Sequence, residues 1–168
     1  MKKLITAIAL CLINVVSMHS QISADVEVVE KKYEIITYCH STHSKIMQFF
    51  KQSWKEEGFY LVVSSDNQYE DYKVYVKLGT NEQQTIESLR NISAIYTKVK
   101  ETNEHFKLDG YTCFISGNRI YFAKPQYKAG YYYIEPTKFN QLADECEKEY
   151  NENGRFLTID ERKNKGYY

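Results

Sequence analysis

Glycine is scarce in this chain, seven residues spread over 168, and the scarcity removes whole classes of chemistry. A phosphate-cradling loop, a dinucleotide fingerprint and a nucleophile elbow each need closely placed glycines where backbone turns sharply or approaches a ligand, and none of these patterns occurs. Neither does H-E-x-x-H, the helical spacing of a zinc protease. The two prolines, Pro125 and Pro136, both fall in connections. With no Pro/Gly-rich linker, internal repeat or low-complexity tract, the chain reads as one continuous domain. Excess charge is also lacking, since 22 basic residues balance 22 acidic ones. Without a basic surplus there is no electrostatic footprint for a nucleic-acid partner, and none is expected. No cofactor is expected either.

A long apolar run occurs only at the start. Lys2 and Lys3 precede an apolar stretch from Leu4 to Val16, and Ile22-Ser23-Ala24 ends on a small residue. This is the layout of a cleaved secretory signal peptide over residues 1–24. The stretch is too short for a stable anchor, and no later stretch approaches the roughly 18 apolar residues a span needs, so no membrane span is expected after its removal. Leu10 is too bulky for a lipid-attachment signal at Cys11. The short Lys-Lys start looks bacterial, which places the product in the periplasm or beyond it. The expected layout is the leader, one α+β domain over 25–160 and a polar flexible tail over 161–168.

Cys39, Cys113 and Cys146 follow the leader. In an oxidising compartment two of them are expected to pair. Cys113 lies in the apolar run "YTCFI", where a thiol serves as a small hydrophobe. Cys39 and Cys146 have polar surroundings and are the expected pair, with Cys113 as the alternative partner.

Periodicity gives the element order β-α-β-β-α-β-β-β-α. "YEIITYC" reads as a strand. Ile46, Met47, Phe49, Phe50 and Trp54 share one broad helical face, and the spacing predicts a helix there. "FYLVVSS" reads as a buried strand. In "YKVYVKL", Tyr72, Val74, Val76 and Leu78 alternate with Lys73, Tyr75 and Lys77, the pattern of a half-buried strand. Thr80 and Gln83 suggest a capping box for a long helix reaching about Glu104. "YTCFISGNRIYFAK" predicts a hairpin turning at Gly117-Asn118, with Ile115 facing Ile120, Phe114 facing Tyr121 and Cys113 facing Phe122. "GYYYIE" is a third strand. A last helix carries Phe139, Leu142, Ala143, Cys146 and Tyr150 on one stripe and stops at Gly154. "RFLTI" suggests an edge strand. The class is α+β: a two-layer sandwich with about three helices on one face of a mostly antiparallel sheet, built on a ferredoxin-like split βαβ in its first six elements.

Three stretches could carry chemistry. "CHSTH" sets Cys39 beside His40 and His43, the ingredients of an activated thiol if a helix begins there. A zinc site would want about four ligands, and His105 is the only further histidine after the leader, so no metal is expected. "SSDNQYED" places Asp66, Gln68, Glu70 and Asp71 in a calcium-like alternation, but Asp71 stands where an EF-hand needs glycine, and the stretch reads as a solvated hairpin loop. The third stretch is set by abundance. Tyrosine occurs sixteen times, and Tyr121, Tyr127, Tyr131, Tyr132 and Tyr133 crowd the late strands. In a strand, Tyr131 and Tyr133 share one face and Tyr132 takes the other. Tyrosine offers a stiff aromatic body with a polar tip and is enriched at interfaces for that reason. The expectation is an exported, non-enzymatic binding protein acting by protein–protein contact through a tyrosine-rich sheet surface, of inhibitor, immunity or adaptor type. The alternatives are a small exported enzyme using Cys39 with His40 or His43, and a secreted virulence or glycan-binding factor.

Overall fold

The structure is a computed structural model that describes residues 33–39, 43–50, 56–102, 104–123, 126 and 128–166. Residues 1–24, where a leader is expected, and His40, Trp54 and Tyr127 lie outside the described residues.

Four strands, β1 (Tyr33–Tyr38), β2 (Ser44–Phe49), β3 (Gly58–Ser64) and β4 (Lys73–Gly79), form an antiparallel meander in chain order. Helix α1 (Glu82–Val99) follows. A second antiparallel meander comprises β5 (Phe106–Leu108), β6 (Tyr111–Ser116), β7 (Arg119–Phe122) and β8 (Tyr132–Ile134). A 3-10 turn, Pro136–Lys138, leads into α2 (Phe139–Asn153), and α3 (Ile159–Asn164) ends the described chain. The class is α+β, with two four-stranded sheets and a helical layer.

The expected helix over Ile46–Trp54 is not formed: residues 44–49 are β2, paired on both sides with β1 and β3. Ile46 is buried on one face while Met47 and Phe49 are buried on the other. A strand apolar on both faces has no period of two, and by pattern alone it is indistinguishable from a buried helix. With that helix goes the split βαβ, since β1 to β4 run consecutively.

The buried face of the first sheet supplies Ile36, Ile46, Leu61, Val63, Val74, Val76 and Leu78 to one core. The second sheet adds Cys113, Ile120, Phe122, Tyr132 and Ile134 to it. Ile86, Leu89 and Ile92 of α1 and Phe139, Leu142, Ala143 and Cys146 of α2 close it from the helical side. Each fully buried aliphatic side chain contributes about 1.5–3 kcal/mol of transfer free energy. The α1 cap is one residue later than expected: Asn81 Oδ1 accepts from the Gln84 amide at 3.0 Å. Helix α2 stops as expected, where Gly154 adopts φ 71° and donates its N–H to the Tyr150 carbonyl. Residues 155–158 pair in no strand; Thr158 instead caps α3 reciprocally with Glu161, so part of the expected flexible tail is helical.

Candidate functional site

The hairpin of β6 and β7 has the register read from the sequence, Cys113 against Phe122, Phe114 against Tyr121 and Ile115 against Ile120. Tyr121 then pairs with Tyr133 on β8. Strict alternation sends Cys113, Ile120, Phe122, Tyr132 and Ile134 into the core and leaves Phe114, Arg119, Tyr121 and Tyr133 on the outer face.

The outer residues form a continuous ladder of rings. Phe114 and Tyr121 stack at 5.3 Å with planes 12° apart. Tyr121 meets Tyr133 at 5.6 Å and Tyr131 edge-on at 6.0 Å. The Arg119 guanidinium lies 4.1 Å over the Tyr133 ring and pairs with Glu135 at 3.3 Å. Tyr121 is the largest influence raising the Arg119 pKa above its ordinary value; Tyr133 and Glu135 add to it and burial opposes it. His105 extends the ladder at one end, 5.9 Å from Phe114. His43 extends it at the other, 6.2 Å from Tyr133.

His43 comes from the turn between β1 and β2, in the other sheet, and its carbonyl accepts from the Ser64 amide at 2.7 Å. The "CHSTH" stretch therefore sends its ends to different places. Cys39 is 3 % exposed and belongs to the core, while the His43 ring sits against Tyr133. Burial pushes the Cys39 thiol well above its ordinary value, the nearby Cys146 adds to the shift and a hydrogen bond with Ser44 opposes it. That is the reverse of an activated nucleophile, which needs a stabilised thiolate and access. Cys39, Cys113 and Cys146 are all buried free thiols here, so the expected Cys39–Cys146 bridge is not formed in this structure.

Of the tyrosines singled out from the sequence, Tyr121, Tyr131 and Tyr133 are brought together. Tyr131 is 59 % exposed. Tyr132 is instead a core residue, and its hydroxyl is buried beside Ser65 without a well-formed hydrogen bond. Phe114, Arg119, His43 and His105 were not connected to this surface by sequence reasoning; the first two follow from the hairpin register, the histidines from no local signal.

The "SSDNQYED" loop is the exposed hairpin loop between β3 and β4, as expected, and it also clamps the segment entering β8. The Tyr131 amide donates to Asp66 Oδ1 at 2.7 Å, the Ala129 amide to Glu70 Oε2 at 3.2 Å, and the Ser65 hydroxyl to the Ala129 carbonyl at 3.3 Å. Lys128 reaches Glu70 at 3.5 Å, so an ammonium already neutralises this carboxylate. No cluster of three or more potential metal ligands occurs among the described residues.

No known protein family, curated protein or solved structure matches the chain.

Proposed function

We propose that this chain is an exported, non-enzymatic binding protein of inhibitor, immunity or adaptor type, acting by protein–protein contact through the outer face of β6, β7 and β8. The observation that carries this reading is Tyr121, whose ring touches Phe114, Tyr131 and Tyr133 on a face turned away from the core. A rigid aromatic cluster loses little side-chain entropy on binding, and a few such anchors usually dominate an interface. Ring orientation favours protein over glycan. A sugar stacks on a free ring face, whereas Phe114 and Tyr121 cover one another and Arg119 covers Tyr133, which leaves mainly edges and hydroxyls. The enzyme alternative is disfavoured by the burial of Cys39.

Export, to the periplasm or the medium, rests on the leader over residues 1–24. None of the described helices is long and apolar enough to cross a membrane. In an oxidising compartment Cys39 and Cys146, which share one core, would be candidates to join.

The test places a photo-crosslinking residue at position 131 in the full chain within the producing cells, with position 98, exposed on α1, as control. A discrete protein adduct at 131 that is absent at 98 is expected, and Tyr121→Ala should reduce its yield by about tenfold. Equal adducts at both positions, or none at either, would overturn the reading.

A further inference from the structure

The acids of α2 are largely matched within the helical layer, where Arg90 pairs with Asp144 and Glu147, Lys148 with Glu152 and Arg162 with Glu149. The outer side of the sheets differs. Lys45 on β2 lies opposite Val62, and Lys73 on β4 lies opposite Ser64. Val62 and Ser64 are two residues apart on β3, so both lysines stand on one sheet face, diagonally across that strand. No carboxylate pairs with either among the described residues, although Lys77 on the same face is bound to Glu56. Asp71, two residues before Lys73, forms no ion pair with it. Burial, and then the charge of Lys73, hold Lys45 below the ordinary lysine value. Half-buried Lys45 thus has the exposed ammonium of Lys73 across β3 as a like-charged neighbour, an arrangement that an incoming anion relieves.

This lysine pair is continuous with the aromatic ladder. His43 stands immediately before β2, two residues from Lys45, and its ring touches Tyr133. At the far end of the ladder, beside His105, exposed Lys107 donates to the Thr112 hydroxyl at 2.7 Å and meets no carboxylate among the described residues. Of the acids bordering the surface, Glu135 is engaged by Arg119, Glu70 by Lys128, and Asp66 and Asp109 by the backbone amides of Tyr131 and Lys77, while Asp71 stands exposed at the loop beside Lys73.

We infer that the outer surface running from Lys107 through Phe114, Tyr121, Tyr133 and His43 to Lys45 and Lys73 docks an acidic segment of a partner protein, its carboxylates meeting the lysines and its apolar side chains meeting the rings. The inference rests on the proposed binding role and names the chemistry of the partner. Complementary charge of this kind sets encounter rate and register, and it is sensitive to salt.

The test uses the full chain and a labelled short peptide of alternating Glu and Leu, with its Gln/Leu and Lys/Leu counterparts as controls. Binding is read by fluorescence anisotropy at low and raised salt. The acidic peptide should bind, the Gln/Leu and Lys/Leu peptides should bind at least about tenfold more weakly, and Lys45→Glu with Lys73→Glu should cost a similar factor. Lys98→Glu with Lys100→Glu, at the C-terminal end of α1, should change nothing. Equal binding of the acidic and Gln peptides, or equal loss from both lysine pairs, would overturn the inference. If the position-131 adduct survives Lys45→Glu with Lys73→Glu, the acidic-partner inference falls and the binding surface stands. If no adduct forms, both fall. Concentration-dependent sedimentation abolished by Lys45→Glu with Lys73→Glu would show the acidic helix of a second copy as occupant and overturn a foreign partner.

Discussion

Asp66 and Tyr131 grip one another from both directions. The Tyr131 amide donates to Asp66 Oδ1 at 2.7 Å, and the Asp66 amide donates to the Tyr131 carbonyl at 3.1 Å. This exchange ties the end of β3 to the start of β8 and so fixes the most exposed tyrosine of the aromatic ladder. Gly130 makes the approach possible. It adopts φ 73°, and a Cβ there would overlap the Ser65 hydroxyl and come within 2.8 Å of Asp66 Oδ1. Gly130→Ala should therefore cost about 2–4 kcal/mol, from left-handed strain and the clash together. Asp66→Ala should cost about 1–2 kcal/mol, from the lost acceptor. Urea denaturation of both variants measures this; a Gly130→Ala protein as stable as the parent would contradict the clamp.

The buried thiols predict chemical silence. Burial is the first cause that pushes Cys113 and Cys146 up to about 12, and it pushes Cys39 higher than that. Mildly alkaline iodoacetamide should leave all three unmodified in the folded protein, whether Cys39 is reduced or paired. Labelling should appear at the rate of global unfolding. Rapid selective modification of Cys39, read by peptide mass mapping, would instead restore the enzyme alternative with His43 as the first residue to replace.

How much of this was legible in the sequence differs from element to element, for physical reasons. Lys73 to Leu78 alternates cleanly because one face is buried and the other is not, and Gly117, at φ 60°, marks its turn as only glycine does without strain. A second turn of this kind follows α1. Asp109 and Gly110 have φ 46° and 82°, a two-residue turn joining β5 to β6. The Asp-Gly pair lies just beyond a polar stretch that continues the helical pattern to about Glu104, whereas the helix ends at Val99. β2 carries a helix-like pattern because both its faces bury apolar side chains, Ile46 on one and Met47 and Phe49 on the other. The outward placement of Tyr131 and Tyr133 and the inward one of Tyr132 follow from alternation. That His43 would join them does not, because the contact crosses between two sheets and no local pattern encodes it.

Arg162 and Glu149 should carry much of the attachment of α3. Their pair closes at 2.6 Å with side chains only 14 % and 13 % exposed. Glu149 also accepts the Leu157 amide at 3.1 Å, so one carboxylate holds both the helix and its approach. Removing one partner leaves the other charge poorly solvated, and Arg162→Ala should cost about 2–4 kcal/mol. Arg162→Ala with Glu149→Leu should recover part of that loss, because neither charge is then stranded. Thermal unfolding of the single and double variants checks the cycle; strictly additive losses would show that the two residues act separately.

Acid should loosen the same helix through a different carboxyl. The Arg155 guanidinium, first, and then the Thr158 amide hold Glu161 down to about 2, below its ordinary value near 4.5. Because the folded-state value is depressed, the stabilisation is fully present above about pH 4.5 and is lost as pH falls from there towards about 2. The side chain is 38 % exposed, so screening limits the effect to about 0.5–1 kcal/mol. Glu161→Gln should be less stable than the parent by that amount at neutral pH, and the two should converge as pH approaches about 2. Urea midpoints measured across this range decide the matter. A gap that stays constant with pH would assign the loss to packing or hydrogen bonding at Thr158 that glutamine does not reproduce, rather than to the charge on Glu161.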